Sequence, residues 1–164
     1  MIRMKDVEPL TLEKIPEIWE AYKEENFGIP QDPREEWIEK LYNAPETDYS
    51  VPFEEREDDI RLGSTIVFDN LVAWFVLELV QNSNMQRLNE LFDWFEELAS
   101  DENTKIKTNI LGVTICESFV SNHRAYFPEL FPFIKERPNF FNELKDASKR
   151  FRLNEEVKTL LDSV

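Results

Sequence analysis

Nucleophilic catalysis needs a nucleophile with a base in reach, and this chain has one histidine, His123, and one cysteine, Cys116. His123 lies in the polar link SNHRAY, while Cys116 sits inside the apolar run ILGVTICESFV. Such a thiol is expected to be buried and inert, it has no intrachain disulfide partner, and it suits a reducing compartment. Together the two residues fall short of the ligand set of a usual zinc site. The sequence has no Gly-rich phosphate loop, no GxGxxG and no EF-hand loop with its central glycine.

Carboxylates are the remaining chemical resource. Glu54 with Glu57, Glu55 with Asp58, and Asp93 with Glu96 stand three residues apart, the spacing at which a helix places two oxygen ligands on one face. Magnesium-dependent nucleotide pyrophosphohydrolases use carboxylates on an all-helical scaffold in this way, but their ordered motif is not reproduced here. With 34 acidic residues among 164, pairs at this spacing arise by chance, and a solvated helix face is the ordinary reading. The expectation is therefore a protein that is not an enzyme, with no catalytic residue, metal or cofactor.

The charge itself is more informative. The net charge is −15, and it is unevenly spread. Residues 1–62 carry 8 Lys and Arg against 18 Asp and Glu, residues 63–122 carry 3 against 9, and residues 123–164 carry 8 against 7. The acidic field thus belongs to the first two-thirds, where it repels phosphate backbones and anionic lipid and attracts basic protein. Neither nucleic acid nor membrane is an expected partner. MIRMKDVEPL lacks the apolar core of a signal peptide, and the longest apolar run, LVAWFVL at 71–77, is well short of the ~20 residues of a membrane span. A cytoplasmic location follows as the simplest expectation.

The elements that must carry these residues read as helices. Only three glycines punctuate the chain, and nine prolines fall before or between periodic segments. Asp32-Pro33-Arg34-Glu35 predicts a capped helix from Pro33 to about Asn43, with Asp32 as cap and Glu35 returning the hydrogen bond. Ser83-Asn84-Met85-Gln86 predicts a second capping box, followed by Met85, Leu88, Leu91, Phe92, Phe95 and Leu98 at spacings of three and four. Residues 66–80 are apolar at 12 of 15 positions without alternation, which predicts a helix buried on most of its circumference. The stretch 105–120 repeats this with Ile106, Ile110, Val113, Cys116, Phe119 and Val120. Pro128 and Pro138 each open a short segment, PNFF reads as an exposed apolar stretch, and Asn154 caps a last helix with Val157, Leu160, Leu161 and Val164. The expected fold is all-α: a compact multi-helix bundle or an array of antiparallel helix pairs, with seven to nine helices in one domain over 1–164.

On that scaffold the acidic residues interleave with aromatics. Glu24 and Glu25 in YKEENF, Glu35, Glu36 and Glu39 in PREEWIEK, and Glu54, Glu55, Glu57, Asp58 and Asp59 in VPFEEREDDIRL lie among Trp19, Tyr22, Phe27, Trp37, Tyr42, Tyr49 and Phe53. Carboxylates that steer and pair with Lys and Arg, set beside large aromatic anchors, suit a surface for a cationic partner. These ten carboxylates are the candidate partner-binding residues. Trp19 and Trp37, with apolar neighbours at helical spacing, are expected in the core.

The block from about Phe68 to Phe119, with FDNLVAWFVLELV, FDWFEEL and LGVTICESF, resembles the core of small acidic all-helical bacterial immunity proteins of contact-dependent and other polymorphic toxin systems. The resemblance covers about a third of the chain and implies a role rather than a site, because immunity proteins of one fold use different surfaces for different toxins. It implies binding of a cognate basic toxin, such as a nuclease, and occlusion of its active site by carboxylates placed where phosphates would lie. The alternative from the residues alone is a helical adaptor or regulatory module that docks a basic segment.

Overall fold

A computed structural model describes residues 1–47, 50–55 and 59–164. Among the described residues it is all-α, with nine helices and no strand. They are α1 (Val7–Lys14), α2 (Trp19–Glu25), α3 (Arg34–Asn43), α4 (Ser64–Gln81), α5 (Met85–Ala99), α6 (105–120), α7 (Phe127–Ile134), α8 (Pro138–Ser148) and α9 (Glu155–Asp162). Short 3₁₀ turns at Met4–Asp6, Pro16–Ile18, Phe53–Glu55 and Arg124–Tyr126 fill the links.

The core is aromatic. Phe92 on α5 meets Phe95, Phe133 and Phe140 at ring-centroid distances of 5.3, 5.7 and 5.7 Å, and Phe95 stacks on Phe140 at 5.6 Å. Three helices, α5, α7 and α8, therefore converge on one ring, which holds them in register beyond what apolar area alone would do. Helix α8 packs along α6, α4 packs on both α5 and α6, and α1 packs on α3. PNFF is not an exposed segment: Phe140 and Phe141 are buried, because Pro138 starts α8 and turns both rings inward.

Helix α5 follows its periodicity, with Leu88, Leu91, Phe92, Phe95 and Leu98 buried and Met85 exposed. Its cap is Asn84, whose Oδ1 accepts from Arg87 N at 3.2 Å; Ser83, one residue earlier, takes a left-handed φ of 53° instead. At α3 the expected box is absent. Pro33 occupies the cap position without a side-chain bond, and the Asp32 carboxylate pairs with Lys40 at 2.7 Å. Asn154 does cap α9, accepting from Val157 N at 2.8 Å.

Helix α4 spans 18 residues with a mean hydropathy of 1.3, so by length and composition it could cross a bilayer; the shorter apolar run understates it because the helix begins at Ser64. It lies against α5 and α6, with 44% of its residues buried in the fold. Its middle, Val67–Val72, and most of α6, Lys107–Cys116, wind as π-helix. An i→i+5 turn stacks side chains four and five apart, so Ile106, Ile110, Leu111, Ile115 and Cys116 share the inner face. Val113, expected inside from α-periodicity, is 45% exposed as a result. Gly112 lets α8 close in: a Cβ there would strike the Glu143 carboxylate.

Candidate partner-docking surface

The acidic N-terminal third is keyed to the rest of the fold by polar contacts. Glu8 on α1 is 1% exposed. Its Oε2 accepts from Tyr22 Oη at 2.6 Å and from Leu62 N at 3.0 Å, and its Oε1 accepts from Gly63 N at 2.7 Å. Trp37 Nε1 donates to Tyr22 Oη at 3.1 Å, so one carboxylate ties α1, α2, α3 and the entry to α4 together. Burial pushes the Glu8 carboxyl up from its ordinary range, against the donors and Arg61, which pull it down. Burial and the neighbouring Glu8 charge push the Tyr22 phenol up. The Tyr22 shift fits a phenol that keeps its proton and donates it to Glu8.

A second set of contacts fixes the link from α3 to α4. Arg61 Nη2 donates to the carbonyls of Pro45 at 2.7 Å and Ala44 at 3.1 Å. Asp59 accepts from Thr47 Oγ1 at 3.0 Å and from Arg61 N at 3.1 Å. Lys5 Nζ donates to the carbonyls of Tyr42 and Ala44, and Asn26 Nδ2 donates to Ile60 O at 3.3 Å. Farther along, Arg87 on α5 grips Glu17 at 2.7 and 2.8 Å and the Lys14 carbonyl at 2.8 Å.

These contacts sort the predicted carboxylates. Glu24 at the end of α2, Glu35, Glu36 and Glu39 on α3, and Glu54 and Glu55 on the 3₁₀ turn are exposed. Glu36 and Glu39 line a shallow groove of about 530 Å³ with Lys40, Asn43, Ala44 and Ile60. Ile60 also bonds to Asn26, beside Glu25, so the α2 end and the α3 face border one region. Glu25 is half-buried and accepts from Asn70 Nδ2 on α4 at 2.7 Å. Asp59 is exposed too, while its carboxylate also accepts from Thr47 and Arg61 within its own loop. Glu57 and Asp58 lie outside the described residues.

The carboxylate pairs considered for a metal have other employment. Asp93 accepts from Arg137 at 2.8 Å, and Glu96 accepts from Asn139 N and Phe140 N, capping α8 from outside. Glu54 and Glu55 sit on a 3₁₀ turn, not a helix, and their proposed partners are Glu57 and Asp58. Among the described residues no group of three or more His, Cys, Asp and Glu side chains is placed to hold a metal.

The aromatics divide as sharply. Tyr22 and Trp37 are core, Trp19 packs partly buried against it, and Cys116 is buried with its thiol pushed up by burial. Phe27, by contrast, is 88% exposed, and Ile29 beside it is 54% exposed. Sequence reasoning missed Trp74, which lies inside the apolar run of α4 yet is 59% exposed and meets the His123 ring edge-on at 4.7 Å. Only its place one turn after Asn70 on the helix's polar stripe marks it. Comparison with protein-family models, curated proteins and solved structures finds no match for this chain.

Proposed function

We propose that this protein is an immunity protein: a cytoplasmic, non-enzymatic inhibitor that binds a basic bacterial toxin, such as a nuclease, and occludes its active site. The observation that carries the reading is the region bordered by the α2 end and the α3 face, where Glu24, Glu36 and Glu39 are exposed and an aromatic, Phe27, stands exposed just past the end of α2. Exposed carboxylates steer a cationic partner, and an exposed ring beside them supplies an anchor for it. The resemblance of 68–119 to immunity proteins supports the same role.

Co-expression with the product of the adjacent gene tests it directly. Cell survival together with co-purification of the two chains is the expected outcome; a harmless neighbour, or two chains that never bind, refutes it. Within such a complex, Glu→Lys at 24, 36, 39, 54 and 55 adds two charges at each site, taking the net charge from −15 to −5. Association at low salt should slow by about tenfold or more and lose most of its salt dependence. An unchanged rate would exclude this face.

A further inference from the structure

Helix α2 ends in a hydrogen-bonded pattern that normally calls for glycine. Phe27 N donates to Glu24 O at 3.0 Å and Gly28 N donates to Lys23 O at 2.7 Å, the paired bonds of a Schellman motif with Asn26 at the C-cap. The left-handed position just after the cap, which glycine favours, is held by Phe27 at φ 55°, while Gly28 follows at φ 69°. A bulky side chain is disfavoured at that φ. The fold gains nothing visible in return, since the ring is 88% exposed. Beside it, the Glu25–Asn70 bond joins the loop to the exposed stripe of α4, where Asp69, Asn70 and Trp74 lie. The result is an apolar knob that follows Glu24 and Glu25 and a second exposed aromatic on the α4 stripe that carries Asp69.

We propose that Phe27 and Trp74 are the anchors of the partner interface, which runs from the end of α2 onto α4, and that the partner presents an apolar surface rimmed by Lys and Arg. Charge decides the occupant: Glu24 and Glu25 close α2 just before Phe27, and Asp69 stands five residues before Trp74 on α4, so an apolar face with a basic rim is drawn to the site and an acidic one is repelled. The inference rests on the acidic surface being a protein-binding one, not on the partner being a toxin.

Phe27→Gly separates this role from a structural one. Glycine fits the backbone, so the variant should melt about 2 °C higher than the parent, while losing the anchor. The probe is an amphipathic 18-residue peptide of Leu and Lys, with an all-Lys peptide as control, titrated into the ¹⁵N-labelled full chain. Shifts should concentrate at Asn26–Ile29, Asn70 and the Trp74 indole, and both Phe27→Gly and Trp74→Ala should weaken Leu/Lys binding about tenfold. The all-Lys peptide should bind more weakly and be released by salt. The proposal is overturned if the Leu/Lys peptide does not bind, if its shifts map elsewhere, if Phe27→Gly binds like the parent, or if that variant is less stable. Any of those results leaves the toxin-neutralising reading to the co-expression assay.

Discussion

Glu8→Ala removes the acceptor shared by three donors, and its cost can be worked from their surroundings. An orphaned buried donor costs about 1–3 kcal/mol. The Tyr22 hydroxyl, fully enclosed, belongs at the top of that range, while the Leu62 and Gly63 amides, half-buried, belong near the bottom. Against this stands the recovered desolvation of a carboxylate held at 1% exposure. The net loss should be about 2–4 kcal/mol, a large part of the roughly 5–15 kcal/mol that holds a domain together. Glu8→Gln should not rescue it, because an amide NH₂ must then face one of the three donors. Urea unfolding followed by tryptophan fluorescence gives the free energies, and a cycle with Tyr22→Phe should return a coupling of about 1.5–3 kcal/mol. Hydrogen exchange at Leu62 and Gly63 should rise in the same variant. If Glu8→Ala lies within about 0.5 kcal/mol of the parent, or the cycle gives no coupling, the network does not key the N-terminal third to the core and the reasoning fails.

Arg137, 7% exposed, donates to Phe133 O at 3.0 Å, Asn89 Oδ1 at 3.1 Å and Asp93 Oδ1 at 2.8 Å, so Arg137→Ala should cost about 2–3 kcal/mol in urea unfolding and Lys should recover less than half. Glu143 is 7% exposed against Gly112, and burial and the neighbouring Asp146 push its carboxyl up, opposed by Lys107 and Arg150. A folded pKa raised above the unfolded 4.5 means that its contribution is fully present below pH 4.5 and is lost as pH rises through the folded value. Glu143→Gln should therefore melt above the parent at pH 7 and level with it at pH 4, and equal melting temperatures at both would refute the direction.

Much of this fold is legible in local sequence because its helices bury one stripe each. Helix α5 needs only its three-and-four spacing, and Asn154 needs only a free amide three residues on. What is not legible depends on distant partners. Asp32 has the type and position of a cap, but Lys40 offers it a charged bond and Pro33 takes the cap position. The π winding of α6 belongs to the face that Gly112 opens to α8, and an α-periodic reading then misplaces Val113. At the candidate site, composition reveals that carboxylates abound without saying which are free. Asp59 and Glu25 are engaged by Arg61, Thr47 and Asn70, contacts that only the folded chain brings together. Phe27 leaves one trace, a glycine standing one residue later than the helix end wants it.

The division of labour within the chain bears on how such a surface could change. Helices α4 to α8 are joined by rings that must fit one another, so substitutions there leave cavities or strain. The N-terminal third is held instead through a few inward polar keys, Glu8, Arg61 and Lys5, each with defined donors and acceptors. Glu24, Glu36, Glu39 and the Phe27 ring face outward from that keyed frame. Replacing an exposed carboxylate should shift stability by no more than about 0.5 kcal/mol, whereas replacing a key should cost several-fold more. Recognition could thus be rewritten residue by residue while the frame that presents it stays fixed, which is what a protein matched to one particular partner requires.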